Sequence, residues 1–401
     1  MRILLINHFP LMGSGSGVYV ENVARELHAR GHQVVVLKPD TESPPDGTYE
    51  FTTSTILCPA PGEAETDDRD LSFPFPCFTT HPRSNRTFYA LSEAELTEYT
   101  GIFEQRVRRI AAEIDVEVIH PQHLWVTAAI ASRSGRPYVV TCHGTDLLGY
   151  RAAPNYRPFA HQAADAAQKV VAVSKSTARE VARIFGVADD RLVPLPSGVD
   201  GNTFSPIETT AASVFKQMGL AFPIGPVVVY GGKLACFKGP DVLIEAASIY
   251  ERQMPNVTTV IAGDGSERRG LESMARALHV RNLHFVGWQE QSSLARLYSI
   301  ADLAVVPSRE EPFGLVAIEA LACGTPVVAS NVGGLPEHVD ESVGRLVQPD
   351  NPGELAHAIT GELNGGGRRA KGEAAAARGA GYTWGKHVDR LEEFYAEAAK
   401  K

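Results

Sequence analysis

The chain has 401 residues, 44% of them hydrophobic and 21% charged; at roughly 100–200 residues per domain this allows two or three domains with sizeable cores and excludes disorder as the main theme. Its 38 Lys and Arg against 47 Asp and Glu give a net charge of −9, which argues against a nucleic-acid binder held by bulk charge while leaving room for a local phosphate pocket. Five scattered cysteines (Cys58, Cys77, Cys142, Cys236, Cys323) with no CxxC pair exclude a disulfide scaffold or zinc ribbon and predict a reducing, cytoplasmic setting.

Residues 2–7 are apolar and β-prone. They run too soon into His8 and Pro10 to act as a signal peptide, so they predict a buried first strand. The turn Gly13-Ser14-Gly15-Ser16-Gly17 follows, then a helix over 18–30 with Val20, Val23, Ala24 and Leu27 on one face. Val34–Leu37 reads as a second strand. Strand, glycine turn, helix and strand in succession open a doubly wound α/β domain. The glycine turn lacks the spacing of a dinucleotide fingerprint and the Lys-Ser/Thr of a P-loop, so a plain turn and a ligand loop both stay open.

Residues 40–100 are proline-rich, with Phe73-Pro74-Phe75-Pro76-Cys77-Phe78-Thr79-Thr80-His81-Pro82-Arg83 at their centre. This predicts an irregular but packed excursion. A helix over 101–113 and strands over 116–120, 137–142 and 170–174 follow, then a helix to about Phe185 and a short strand over 192–194. Turn residues from Pro196 to Pro206 mark the domain boundary. The second half repeats the alternation, with strands at 227–230, 258–262, 283–286, 303–306 and 327–329 and helices at 239–250, 291–300 and 314–323. An alanine- and glycine-rich stretch (365–381) precedes a last helix, Trp384–Lys400. No apolar run reaches the roughly 18 residues of a membrane span. The helix at 18–30 mixes Glu21 and Glu26 with Arg25 and Arg30, so no basic membrane-binding face is evident.

Four places could carry chemistry. In Arg309-Glu310-Glu311-Pro312-Phe313-Gly314-Leu315-Val316-Ala317-Ile318-Glu319, a loop holds Glu311 and Gly314 opens a helix that carries Glu319. The free N–H groups at Gly314, Leu315 and Val316 suit an anion. Glu319 could then reach a ribose and Glu311 a second sugar; solvated helix-end glutamates are the plain alternative. Lys233 and Lys238, in the strand-to-helix loop Gly231–Gly239, could face a diphosphate, or could simply be solvated. His143, at the end of a strand, could orient a substrate hydroxyl or be structural. His81, Arg83 and Arg86 could contact an acceptor, or belong to a loop that covers the sheet. His120, His123 and His143 lack metal-ligand spacing, and no metal is expected. No GxSxG nucleophile motif occurs.

Taken together, these residues resemble the retaining family 4 glycosyltransferases. The Glu311…Glu319 pair looks like that family's E-x7-E signature. Val199-Asp200 with Phe204 and Pro206, Gly232-Lys233 with Lys238-Gly239, Gly263-Asp264-Gly265, Phe285-Val286-Gly287, Gly324–Ala329 and Gly333–Glu337 agree with it in order. The resemblance implies an α/β GT-B fold: two Rossmann-like doubly wound domains facing a cleft, an N-terminal acceptor domain (1–200, completed by a C-terminal helix, 385–401) and a nucleotide-sugar domain (206–384). It implies that Lys233 and Lys238 hold the donor diphosphate and that Glu311 contacts the transferred sugar. Phe313, Gly314, Leu315 and Val316 would contact sugar and phosphate, Glu319 the ribose, Gly15 the phosphate, and His143 the sugar near its 6-hydroxyl. The expected activity is a retaining, metal-independent hexosyl transfer from a UDP- or GDP-sugar to a small soluble acceptor, with no cofactor, no nucleic acid, no membrane association, and a homodimer allowed. Two departures stand out: the family commonly has Arg at Lys233 and Gly-Gly at Ser14-Gly15. The rivals are a nucleotide-sugar epimerase or hydrolase, for which Asp146 is the one evident extra acid in the first domain, and a non-catalytic nucleotide-sugar binder.

Overall fold

The computed structural model describes residues 1–63, 68–79, 81–366 and 368–400. Parts of the 40–100 segment (64–67 and Thr80), Gly367 of the alanine- and glycine-rich stretch, and Lys401 lie outside the described residues. The chain divides into two compact units, Met1–Gly198 with Trp384–Lys401, and Val199–Thr383.

The first unit holds strands β1 (Arg2–Ile6), β2 (Gln33–Asp40), β3 (Thr52–Leu57), β4 (Val118–Pro121), β5 (Val139–Cys142), β6 (Lys169–Ala172) and β7 (Leu192–Pro194). Their order is 3-2-1-4, continued through the bridges Ile119–Tyr138 and Gln122–Thr141 into 5-6-7, and every pairing is parallel. Ile3, Leu4, Leu5 and Ile6 are all fully buried, because a parallel sheet is covered on both faces. One face packs against Tyr99, Phe103, Val107, Trp125 and the described part of the aromatic excursion, where Phe73, Phe75, Phe78 and Phe88 are buried. The other face packs against Tyr19, Val20, Val23, Leu27 and the last helix, Trp384–Ala399, through Leu391, Phe394 and Tyr395.

Three sequence expectations shift here. The first helix begins at Gly15, not residue 18, because the Ser14 side chain accepts from the Gly17 N–H and caps it. The 40–100 segment contains a regular strand, β3, paired with β2. The helix expected from 101 starts at Glu93, behind a Ser92–Glu95 capping box.

The second unit holds β8 (Val227–Gly231), β9 (Thr258–Ala262), β10 (Leu283–Gly287), β11 (Leu303–Val306), β12 (Val327–Ser330) and β13 (Gly344–Val347), ordered 10-9-8-11-12-13 and all parallel. The alanine- and glycine-rich stretch contains a helix, Arg368–Gly379. Its small residues serve close packing, since a Cβ on Gly379 would stand 2.3 Å from the Ala322 backbone. Strand order reverses between β1 and β4 in the first unit and between β8 and β11 in the second. The loops at the carboxyl ends of these paired strands are where open α/β sheets take ligands. No helix among the described residues is long and apolar enough to cross a membrane.

Candidate functional site

In the second unit, β8 and β11 lie side by side, with Val228 opposite Leu303 and Val229 opposite Ala304. The loops that leave their carboxyl ends are therefore neighbours. The first carries Lys233, passes through a 3-10 turn, Cys236–Lys238, and reaches Gly239 at φ 65°. A Cβ on Gly239 would sit 2.0 Å from the Pro307 carbonyl at the start of the second loop, so only glycine lets the two loops close together. Arg309 fastens them. Its guanidinium donates to both carboxylate oxygens of Asp241, at 2.9 and 2.6 Å, and this pairing holds the Asp241 carboxyl below its usual range. The Phe237 carbonyl accepts from the Arg309 N–H at 2.8 Å.

Within this frame the expected residues meet. Lys238 Nζ donates to Glu311 Oε2 at 2.7 Å, and Ser308 Oγ donates to the same oxygen at 3.1 Å. Glu311 is buried and Lys238 part-exposed, so the pair presents its cationic end outward. The Glu311 carbonyl accepts from the Gly334 N–H at 2.9 Å, and a Cβ on Gly333 would fall 1.9 Å from that carbonyl, so the Gly333-Gly334 turn seats the loop from behind. Phe313 is buried with its ring edge-on to His338, centroids 4.7 Å apart. Gly314, at φ 97°, starts the helix Leu315–Ala322. The N–H groups of Gly314, Leu315 and Val316 donate to nothing among the described residues, leaving a helix end with its positive dipole exposed for an anion. Glu319 lies one turn further along. It is 7% exposed, no hydrogen bond reaches its carboxylate among the described residues, and burial pushes it up to about 7. Lys233 is part-buried in the β8 loop, with its carbonyl accepting from Tyr230 Oη at 2.9 Å.

In the first unit, Gly15 opens its helix exposed, and nothing stands within 4 Å of where a Cβ would be. His81 is buried and braces that loop: its Nδ1 accepts from the Arg83 N–H at 3.1 Å, so Nε2 donates to the Met12 carbonyl at 3.0 Å. Arg83 pairs with Asp40 at 2.8 Å, beside the buried Lys38. Arg86 pairs with Glu95. His81, Arg83 and Arg86 thus each hold protein partners. His143 follows β5, part-buried, with Tyr19 edge-on at 4.9 Å and His123 at 4.8 Å. Asp146 is fully buried and accepts from the Leu124 and Gly144 N–H groups at 2.8 and 2.7 Å. Among the described residues, no three His, Cys, Asp or Glu side chains converge as metal ligands.

Sequence reasoning missed three supports. Arg309 and Asp241 stand 68 positions apart, and only the β8–β11 pairing brings them together. Ser308 carries no signature of its own. Gln122, which meets His143, lies in an unremarkable loop.

Comparison with known proteins bears on the family and the fold. Residues 13–202 match the family described as Glycosyltransferase Family 4, and residues 220–378 the family described as Glycosyl transferases group 1. The chain is 32% identical to a D-inositol 3-phosphate glycosyltransferase of Geodermatophilus obscurus, over 96% of this chain and 85% of that protein. It is 32% identical to that of Xylanimonas cellulosilytica, over 100% and 97%. Its fold is similar to a sucrose-phosphate synthase from Thermosynechococcus elongatus (TM-score 0.78, 24% identity, 99% of each chain). HepE of Anabaena in complex with UDP and glucose is also similar (TM-score 0.76, 21% identity, 99% of each chain).

Proposed function

The chain belongs to glycosyltransferase family 4, with the GT-B fold, and is a glycosyltransferase; from that premise we propose that it transfers a hexose, with retained anomeric configuration, from a nucleoside-diphosphate sugar to a small hydroxyl-bearing acceptor. The observation that carries the donor side is the Lys238–Glu311 pair beside three unengaged helix N–H groups. Those amides and the two lysines suit the leaving diphosphate, where charge develops during transfer. Glu311 orients Lys238 and takes hydroxyls of the transferred sugar. Glu319 takes the ribose hydroxyls, and His143 a substrate hydroxyl. A diphosphate oxygen receives the acceptor proton, and no metal is required. The burial of Asp146 among backbone donors speaks against the epimerase reading, which needed it as an accessible acid. HepE holds UDP in its structures, which makes UDP-sugars the first donors to try and GDP-sugars the second. An inositol phosphate, named for the relatives, is the first acceptor. The ion pairs at Arg83 and Arg86 give no support to an anion site there. The first unit carries the acceptor in this reading.

A thermal-shift screen of UDP-, GDP-, ADP- and dTDP-sugars tests the proposal. One donor class should raise the melting temperature by mass action, and transfer from it should give product. Stabilisation by none of them contradicts the donor assignment. Donor binding with no turnover across a broad acceptor panel returns the non-catalytic reading.

Glu319 adds a pH signature. Its folded pKa of about 7 lies above the ordinary carboxylate value, so the free site holds it protonated below that pH. Ribose hydroxyls that donate to the carboxylate favour the ionised form. Donor affinity should therefore rise with pH through about 7 and level off above it. Glu319→Gln should bind more weakly at pH 8 and lose that dependence. A wild-type titration by calorimetry that stays flat across this range counts against the ribose role.

A further inference from the structure

Gln122 follows β4 at the switch point of the first unit and is fully buried. Its N–H donates to the Ile6 carbonyl at 2.8 Å, which locks the residue to β1. Its side-chain Nε2 donates to the His120 carbonyl at 3.2 Å. That contact decides the amide's orientation, because the reverse would oppose two oxygens. Oε1 therefore faces His143 Nε2, 2.9 Å away. An amide oxygen only accepts, so His143 carries its proton on Nε2. Nδ1 of His143 makes no hydrogen bond among the described residues and is not among their occluded polar atoms.

We propose that Gln122 is the positioning residue that fixes His143 as the neutral Nε2–H tautomer, so that His143 offers its substrate an acceptor lone pair and selects a hydroxyl over a carboxylate or phosphate oxygen at that point. This rests on the role given to His143 above. The groups facing His143 agree with a neutral ring. Tyr19 stands on the first helix, His123 follows β4, and His387 belongs to the last helix. His120 lies behind, on β4. Asp146, on the element that His143 precedes, is committed to the Leu124 and Gly144 amides. Among the described residues no anion therefore faces the ring, and burial pushes its pKa down to about 3. An oxyanion at Nδ1 would require a proton that this setting withholds.

Histidine-selective 15N NMR of the whole chain tests this without a substrate. The His143 signals, assigned by their loss in His143→Asn, should report the Nε2–H tautomer unchanged from about pH 5 to about pH 8. Gln122→Glu puts a carboxylate against Nε2 and should raise the His143 pKa by about 1–3 units. At saturating donor its turnover should then fall toward acid pH, while the wild type stays level. Gln122→Asn, shorter by one methylene, should loosen the tautomer preference, with circular dichroism monitoring the fold of each variant. A wild-type Nδ1–H tautomer, a wild-type titration inside that window, or a Gln122→Glu spectrum identical to wild type overturns the inference. Full activity in His143→Ala overturns instead the substrate role of His143, and the tautomer result remains separately readable.

Discussion

Lys238→Ala should lower turnover by about 100- to 1,000-fold, the usual loss when one preorganised charge is removed from a site where charge develops. The Lys238 ammonium lies 2.7 Å from Glu311, whose loop leads into the unengaged N–H groups of Gly314–Val316, and its loss leaves Lys233 as the one lysine of the proposed diphosphate site. The variant should fold, because Gly239, Arg309 and Asp241 hold the two loops by contacts that do not involve the lysine side chain. It should lose some thermal stability, since among the described residues the buried Glu311 keeps Ser308 as its one side-chain hydrogen-bond partner. Lys238→Arg should recover part of the rate, as it keeps the charge while changing its shape. Steady-state kinetics with the donor selected by the thermal screen decides the matter. Turnover of Lys238→Ala within a few-fold of wild type would remove the lysine from the mechanism.

Glu311→Gln is the second large effect, and its interest lies in how it combines with the first. Glu311 holds Lys238 in place and is itself the proposed contact to the transferred sugar, so the single change should cost about 10- to 100-fold in kcat/KM. Two residues that act as a bonded pair are not additive. The double variant should be slower than Lys238→Ala alone, by the lost sugar contact, yet faster than the product of the two single losses. A double variant whose losses multiply would mean that the two side chains act independently, and the 2.7 Å contact would then have no part in catalysis.

Much of this site was legible in the sequence because it is local. Glu311, Phe313, Gly314 and Glu319 sit within nine consecutive residues, and strand–loop–helix periodicity alone puts a helix start among them. Lys238-Gly239 was legible for the same reason, as a glycine turn after an apolar strand. What was not legible depends on register between distant strands. The Arg309–Asp241 clamp exists only because β8 and β11 are neighbours. The Gln122–His143 contact follows from the placement of β4 beside β5, joined by the Gln122–Thr141 bridge. His81, Arg83 and Arg86 illustrate the converse limit. Their composition suggested a binding loop, but each finds a partner within the protein, at Met12, Asp40 and Glu95. Sequence alone does not distinguish a basic residue that waits for a ligand from one already paired. The missed strand β3 and the helix Arg368–Gly379 were hidden by composition. Threonine-rich and alanine- and glycine-rich stretches read as irregular until their neighbours supply β2 and the close-packed helix Leu315–Ala322.

In the proposed function, the second unit binds a nucleoside diphosphate sugar through Lys233, Lys238, Glu311, Glu319 and the N-terminus of the helix Leu315–Ala322. A crystal structure with the nucleotide of the best-stabilising donor tests it most directly. The diphosphate should lie against both lysine ammonium groups and the Leu315 and Val316 amides, with the ribose hydroxyls on Glu319. A nucleotide bound elsewhere, or bound with the Lys238–Glu311 pair turned away from its phosphates, would contradict it.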